Sequence, residues 1–167
     1  MNLAEVRTEE VDGGWALVFV RELRHAPERV WAALTEPGQL AAWAPYTADR
    51  DLAATGDATL TMIDGEDGQD LAATVSRSEP PTLLEYTWGD SLLRWELAPA
   101  GGGTRLTLRQ TLAEPEWASK IAAGWHLCLD VAEHLLDGDP VPPIRGMDAM
   151  NHGWTELNTA YGERLAD

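Results

Sequence analysis

The stretch Trp117–Gly138, WASKIAAGWHLCLDVAEHLLDG, decides how the rest of the chain is read. Trp117, Ile121, Gly124, Trp125, Cys128, Leu129, Ala132, Leu135 and Leu136 recur at helical spacing and form one broad apolar stripe. The pattern predicts a helix of about twenty residues, ending before Gly138, a glycine placed to take the left-handed C′ conformation. At ~1.5 Å per residue such a helix spans ~30 Å, the width of a small sheet. A stripe that broad needs a sheet to cover it.

That sheet is written in the residues upstream. Ala58 to Ile63 alternates, with Ala58, Leu60 and Met62 on one face. Asp64 to Gly68 reads as a hairpin turn by its Asp-Gly content. Leu71, Ala73 and Val75 alternate next, and Pro80-Pro81 closes that strand. Leu83–Trp88, Leu92–Leu97 and Thr104–Leu112 follow, with Gly101-Gly102-Gly103 turning the last pair. Between Thr47 and Leu112 the signals predict an antiparallel meander of about five or six strands.

Further upstream, Trp15 to Arg24 reads as a strand. Pro27 and Glu28 then open a short helix whose apolar face is Val30, Trp31 and Leu34. Thr35 is placed to cap a second helix from Glu36 to about Ala44, which Pro45 stops, and Trp43 is expected to look inward. Downstream of the long helix, a Pro-rich link from Asp139 to Pro143 leads to a weaker helical stretch, Met147 to Leu165. The predicted class is α+β: an antiparallel sheet wrapped around a long C-terminal helix, two short helices after the first strand, and an internal cavity between sheet and helix. We expect a single domain, with a core of about residues 14–138 and residues 139–167 as an appendix.

Composition narrows the function classes. A chain of 167 residues, 44% hydrophobic and 24% charged, is that of one soluble globular domain. Acidic residues outnumber basic ones 28 to 12, for a formal net charge of -16. Such a field repels phosphate backbones and anionic membrane surfaces, and no basic patch interrupts it: Lys120 is the only lysine and the arginines are scattered. No nucleic acid is therefore expected as a partner, and no membrane insertion, since no segment approaches the ~20 apolar residues of a span. Met1 to Glu10 has three glutamates and no apolar core, so it does not read as a signal peptide, and a cytoplasmic location is expected. Cys128 is alone, which excludes an intrachain disulfide and a cysteine-based zinc cluster. Eight tryptophans against one phenylalanine suit the wall of an apolar cavity.

Several phrases carry a resemblance. They are Arg21-Glu22-Leu23-Arg24-His25-Ala26-Pro27-Glu28-Arg29-Val30-Trp31, then Leu34-Thr35-Glu36-Pro37 with Trp43. Pro80-Pro81-Thr82-Leu83-Leu84-Glu85-Tyr86-Thr87-Trp88, Gly103-Thr104-Arg105-Leu106-Thr107-Leu108 and Gly124-Trp125 follow in order. Together they resemble the START-like (SRPBCC) superfamily, the helix-grip fold, and within it the homologues of the activator of the heat-shock-protein-90 ATPase. The resemblance covers about residues 14–138 and implies an internal cavity. Many relatives carry a histidine two residues past the second leucine of the Gly-Thr-Arg-Leu strand, where this chain has Gln110.

Alternation lets Leu84, Tyr86, Trp88, Leu93, Trp95, Leu97, Leu106 and Leu108 point inward together, with Arg94, Glu96, Thr107 and Arg109 toward solvent. Parity and resemblance nominate Phe19, Trp43, Met62, Tyr86, Trp88 and Trp95 as cavity-lining residues. Leu108, Gln110, Trp125, Cys128 and Leu129 complete the set. Gln110 and Arg21 share the inward parity of their strands. An inward polar group needs a partner, and for Arg21 the expected one is an acidic side chain near a helix start. His126, Asp130 and His134 have metal-ligand types at i, i+4, i+8, but Glu133 lies beside them and a solvated helix face is expected there, with no metal. The triple glycine leads into a strand rather than a helix, so it is a turn and not a phosphate cradle. Cys128 falls on the buried stripe, as a packed thiol.

Three functions remain. The leading one is a binder of a hydrophobic, lipid-like small molecule in a tryptophan-lined cavity, with no cofactor and no catalytic residue. The second, implied by the superfamily, is a polyketide cyclase or aromatase-like enzyme acting on an aromatic ligand. It would have only Tyr86, Arg21 and Gln110 available inside, none a good proton shuttle near neutral pH. The third is a chaperone-associated module whose acidic exterior meets a protein partner. Monomer and homodimer are both open.

Overall fold

The computed structural model describes residues 3–63 and 68–166. Among them, eight strands form one antiparallel sheet, strongly curled, with a long helix in its grip. The strands are β1 (Glu5–Val11), β2 (Gly14–Leu23), β3 (Tyr46–Ala48), β4 (Gly56–Met62), β5 (Asp70–Glu79), β6 (Leu83–Trp88), β7 (Ser91–Ala100) and β8 (Gly103–Leu112). The helices are α1 (Pro27–Thr35), α2 (Pro37–Leu40), α3 (Ala118–Leu136) and α4 (Trp154–Ala166). The sheet order is β1-β2-β8-β7-β6-β5-β4-β3, so only the β2–β8 pairing joins strands distant in sequence.

β2 pairs with β8 in the register Leu17↔Gln110 and Phe19↔Leu108, and β7 with β8 in the register Leu93↔Gln110 and Trp95↔Leu108. The expected inward residues of β6 to β8 are buried, except Trp88, which is half-buried. Gly103 opens β8 as a glycine because an added Cβ would collide with the Leu23 carbonyl oxygen. Gly101 and Gly102, both left-handed, make the turn before it.

The sequence reading missed β1. Its run Glu-Val-Arg-Thr-Glu-Glu-Val carries too little apolar periodicity, because an edge strand buries little and charged side chains guard it from pairing further. The two short helices therefore follow the second strand. The hairpin expected at Asp64–Gly68 lies largely outside the described residues.

α1 starts at Pro27 and buries Val30, Trp31 and Leu34. Thr35 does not cap α2. Its Oγ1 donates back to the Trp31 carbonyl at 2.8 Å, and Glu36 occupies the cap position. α2 is also shorter than Glu36–Ala44, because the chain tightens into i→i+3 bonds (Ala42 N–H to Gln39, Trp43 N–H to Leu40). That tightening swings Trp43 into the core, where its Nε1 donates to the Ala33 carbonyl at 2.9 Å.

α3 ends before the left-handed Gly138, and Arg29 of α1 donates to its terminal Leu136 carbonyl. The helix is buried on two sides. Trp125, Leu129 and Ala132 meet the sheet, while α4 packs on the other side and buries His126 and Leu127 as well. The expectation of a solvated His126 face is thus corrected: His126 is 6% exposed, because the residues after 139 fold back over it. Gly153, left-handed, divides the expected stretch Met147–Leu165 into a 3-10 helix (Gly146–His152) and α4. Among the described residues no helix is long and apolar enough to cross a membrane.

Candidate ligand-binding pocket

The curled sheet and α3 bring six aromatic side chains into one cluster. Trp125 is its hub, with ring centroids 6.3 Å from Trp43, 5.3 Å from Trp95 and 5.9 Å from Trp88. Tyr46 joins Trp88 at 5.0 Å and Tyr86 at 6.3 Å. Trp43, Tyr46, Tyr86 and Trp95 are fully buried in the interior. Open space begins where Trp88 and Trp125 stop.

The Tyr46 and Tyr86 hydroxyls are 2.5 Å apart, and Trp95 Nε1 donates to Tyr86 at 3.3 Å. Burial pushes the Tyr86 phenol up to about 12 and Tyr46 well above its ordinary value. Both stay neutral through the physiological range, and their hydrogen bond braces β3 against β6.

The pocket is a cavity of about 240 Å³. Trp88 of β6 and Gln110 of β8 supply its sheet wall, with Pro45 beside them. The α3 wall consists of Ile121, Gly124, Trp125, Leu127 and Cys128. Ile144, Gly146, Ala149 and Trp154, from the segment after α3, close it from outside. Arg145 anchors that segment by donating to the Ala41 and Ala44 carbonyls at the end of the short-helix region. Gln110 is the one polar side chain in the wall apart from the Cys128 thiol and the Trp88, Trp125 and Trp154 indoles, and it is 5% exposed. Its Oε1 accepts the Trp125 indole N–H at 2.7 Å.

Of the nominated residues, Trp88, Gln110, Trp125 and Cys128 line this space. Met62 stands behind Trp88, whose Nε1 lies 3.3 Å from its Sδ. Trp43, Tyr86, Trp95, Leu108 and Leu129 are packed core, and Phe19 sits apart against Tyr161 of α4 at 6.2 Å. Sequence reasoning missed Tyr46, whose strand has only three residues, and the cover residues Ile144, Ala149 and Trp154. The signal for the cover was a Pro-rich link followed by apolar residues, which periodicity alone cannot place.

A larger cleft of about 810 Å³ lies between β1, β2 and α3. Its Arg21 donates to Asp130 at 2.6 Å and Glu133 at 2.7 Å, and to the His126 carbonyl. The expected partner near a helix start is thereby corrected to two carboxylates well inside α3, because it is the later turns of α3 that face Arg21 of β2. Bonding to Asp130 and Glu133 outweighs burial and raises the Arg21 pKa. Next to it the Tyr161 hydroxyl accepts the Ala4 N–H at 2.9 Å and lies 2.7 Å from His126 Nδ1. These groups satisfy one another, and the cleft ties α4 and the N-terminal strand to α3. Among the described residues, no cluster of three His, Cys, Asp or Glu side chains could hold a metal ion.

Residues 24–137, more than half of the chain, match the sequence signature of the family described as Activator of Hsp90 ATPase homolog 1-like protein. The chain belongs to this family. Its fold is accordingly START-like, as the grip of the sheet on α3 shows. Among solved structures it is similar to CalU16 from Micromonospora echinospora, with TM-score 0.70 and 18% identity over 98% of each chain. A conserved protein of unknown function from Enterococcus faecalis gives TM-score 0.73 and 17% identity, covering 97% of this chain and 91% of that one. Both likenesses include the segment after α3. A protein from Rhodobacter sphaeroides, 26% identical with TM-score 0.63, covers 80% of this chain and 99% of its own. No curated protein matches the chain.

Proposed function

We propose that this protein binds an apolar small molecule in the pocket between Trp88, Trp125 and the segment 144–154. The observation that carries the reading is Gly124. Glycine inside a helix is roughly 1 kcal/mol less favourable than alanine. No neighbour asks for it here, since an added Cβ would meet nothing within 4 Å. What a side chain at 124 would occupy is the pocket that this residue lines. An apolar wall with one convergent polar side chain supports the same reading, as does a family fold that commonly binds ligands.

Native and denaturing mass spectra, taken as purified and after incubation with excess indane or 1-indanone, test it. One small-molecule mass per chain, held under native conditions and lost on denaturation, is expected. A bare polypeptide mass in every sample would overturn the proposal.

A further inference from the structure

We infer that the pocket takes an uncharged ring compound that presents one acceptor, a carbonyl oxygen, to the side-chain amide of Gln110. The inference rests on the ligand-binding reading above and names the chemistry of that ligand.

The orientation of Gln110 is fixed by its neighbour. An indole nitrogen can only donate, so the bond from Trp125 Nε1 places the amide oxygen at Trp125 and turns the two N–H groups elsewhere. Among the described residues, no protein atom accepts from that Nε2. Yet no side-chain nitrogen or oxygen sealed from solvent among the described residues lacks a partner. Nε2 therefore reaches open space, and the open space that Gln110 lines is the pocket. Solvent can accept from this donor while the pocket is open, so a ligand that displaces the solvent leaves a donor on a side chain 5% exposed unpaired unless it brings an acceptor of its own.

Charge and shape narrow the class further. No lysine, arginine or histidine is among the lining residues, and Arg145 spends its guanidinium on the Ala41 and Ala44 carbonyls. A carboxylate would be buried there without a counter-ion, so the acceptor is neutral. At about 240 Å³ the pocket exceeds a benzene-sized cavity of roughly 150 Å³ and falls short of the roughly 300–1,000 Å³ of sites for drug-sized ligands. With three indoles in the wall, Trp88 and Trp125 of them 5.9 Å apart between centroids, that is room for one or two rings rather than a long acyl chain.

The test uses three probes of one shape, indane, 1-indanone and indane-2-carboxylate, titrated at pH 8 and read by tryptophan fluorescence and thermal shift. In the native protein 1-indanone is expected to bind at least tenfold more tightly than indane, and the carboxylate at least tenfold more weakly than the ketone. Gln110→Met should erase the ketone preference. Gln110→His should keep it, because a neutral imidazole can accept from Trp125 and donate with its other nitrogen. Equal binding of indane and 1-indanone, or tightest binding of the carboxylate, would overturn the inference and leave the pocket reading standing. No saturable binding of either neutral probe would overturn both. Should Gln110→Met fail to fold, the comparison of probes on the native protein decides.

Discussion

A methyl group at position 124 would meet no atom within 4 Å, yet it would favour the helix by about 0.5–1 kcal/mol. Gly124→Ala is therefore expected to raise the unfolding free energy by about that amount while weakening indane binding. Urea unfolding and a titration on the same variant check it. A destabilised Gly124→Ala protein, or one that binds more tightly, would contradict the account. Individual residues were legible to different depths. Strand alternation was enough to turn Trp88, Trp95, Leu108 and Gln110 inward, because side chains on one strand face share a parity. It could not separate pocket wall from packed core. That distinction depends on the indoles of Trp43 and Trp95 filling the interior, a matter of volume and not of pattern. Gly124 was read as part of an apolar stripe, and its role emerges only from the space around it.

Among the elements, α3 and the five strands from Gly56 to Leu112 follow from periodicity, whereas the three-residue β3 does not, and the left-handed Gly138 ends α3 where the sequence says it should. α4 and its docking did not follow, since a weakly amphipathic helix can lie on several surfaces. The decisive contacts are Tyr161 with His126 and with Ala4, between groups far apart in sequence. Asp130 Oδ2 is 3.5 Å from His126 Nε2, which favours a proton on that nitrogen and leaves Nδ1 to accept from Tyr161. Burial, reinforced by Arg21 and opposed by Asp130, lowers the His126 pKa below 6.5. The unfolded chain thus takes up this proton at higher pH than the folded one, so stability present above pH 6.5 is lost as pH falls toward the folded value. His126→Gln, which can still accept from Tyr161 but does not titrate, is expected to flatten the fall in unfolding free energy as pH drops below 6.5. Unchanged pH dependence in that variant would show that other groups carry it.

For the whole molecule, the chain order alone implied a sheet gripping a long helix, and the family signature over residues 24–137 agrees with it. The cavity was legible as a consequence of that architecture, but its size and position were not. The aromatic cluster occupies the centre, and the remaining space of about 240 Å³ lies outward, under residues supplied by the segment after α3. A net charge of -16 surrounds this uncharged interior and keeps the exterior distinct in chemistry from the pocket. Whether the space beside Gly124 is a binding site is decided by titrating indane and 1-indanone into the native protein and into Gly124→Leu, with tryptophan fluorescence as the signal. A saturable change is expected in the native protein with at least one of the two probes, and none in a folded Gly124→Leu variant. No saturable change in the native protein with either probe, or equal binding by the variant, would overturn the assignment.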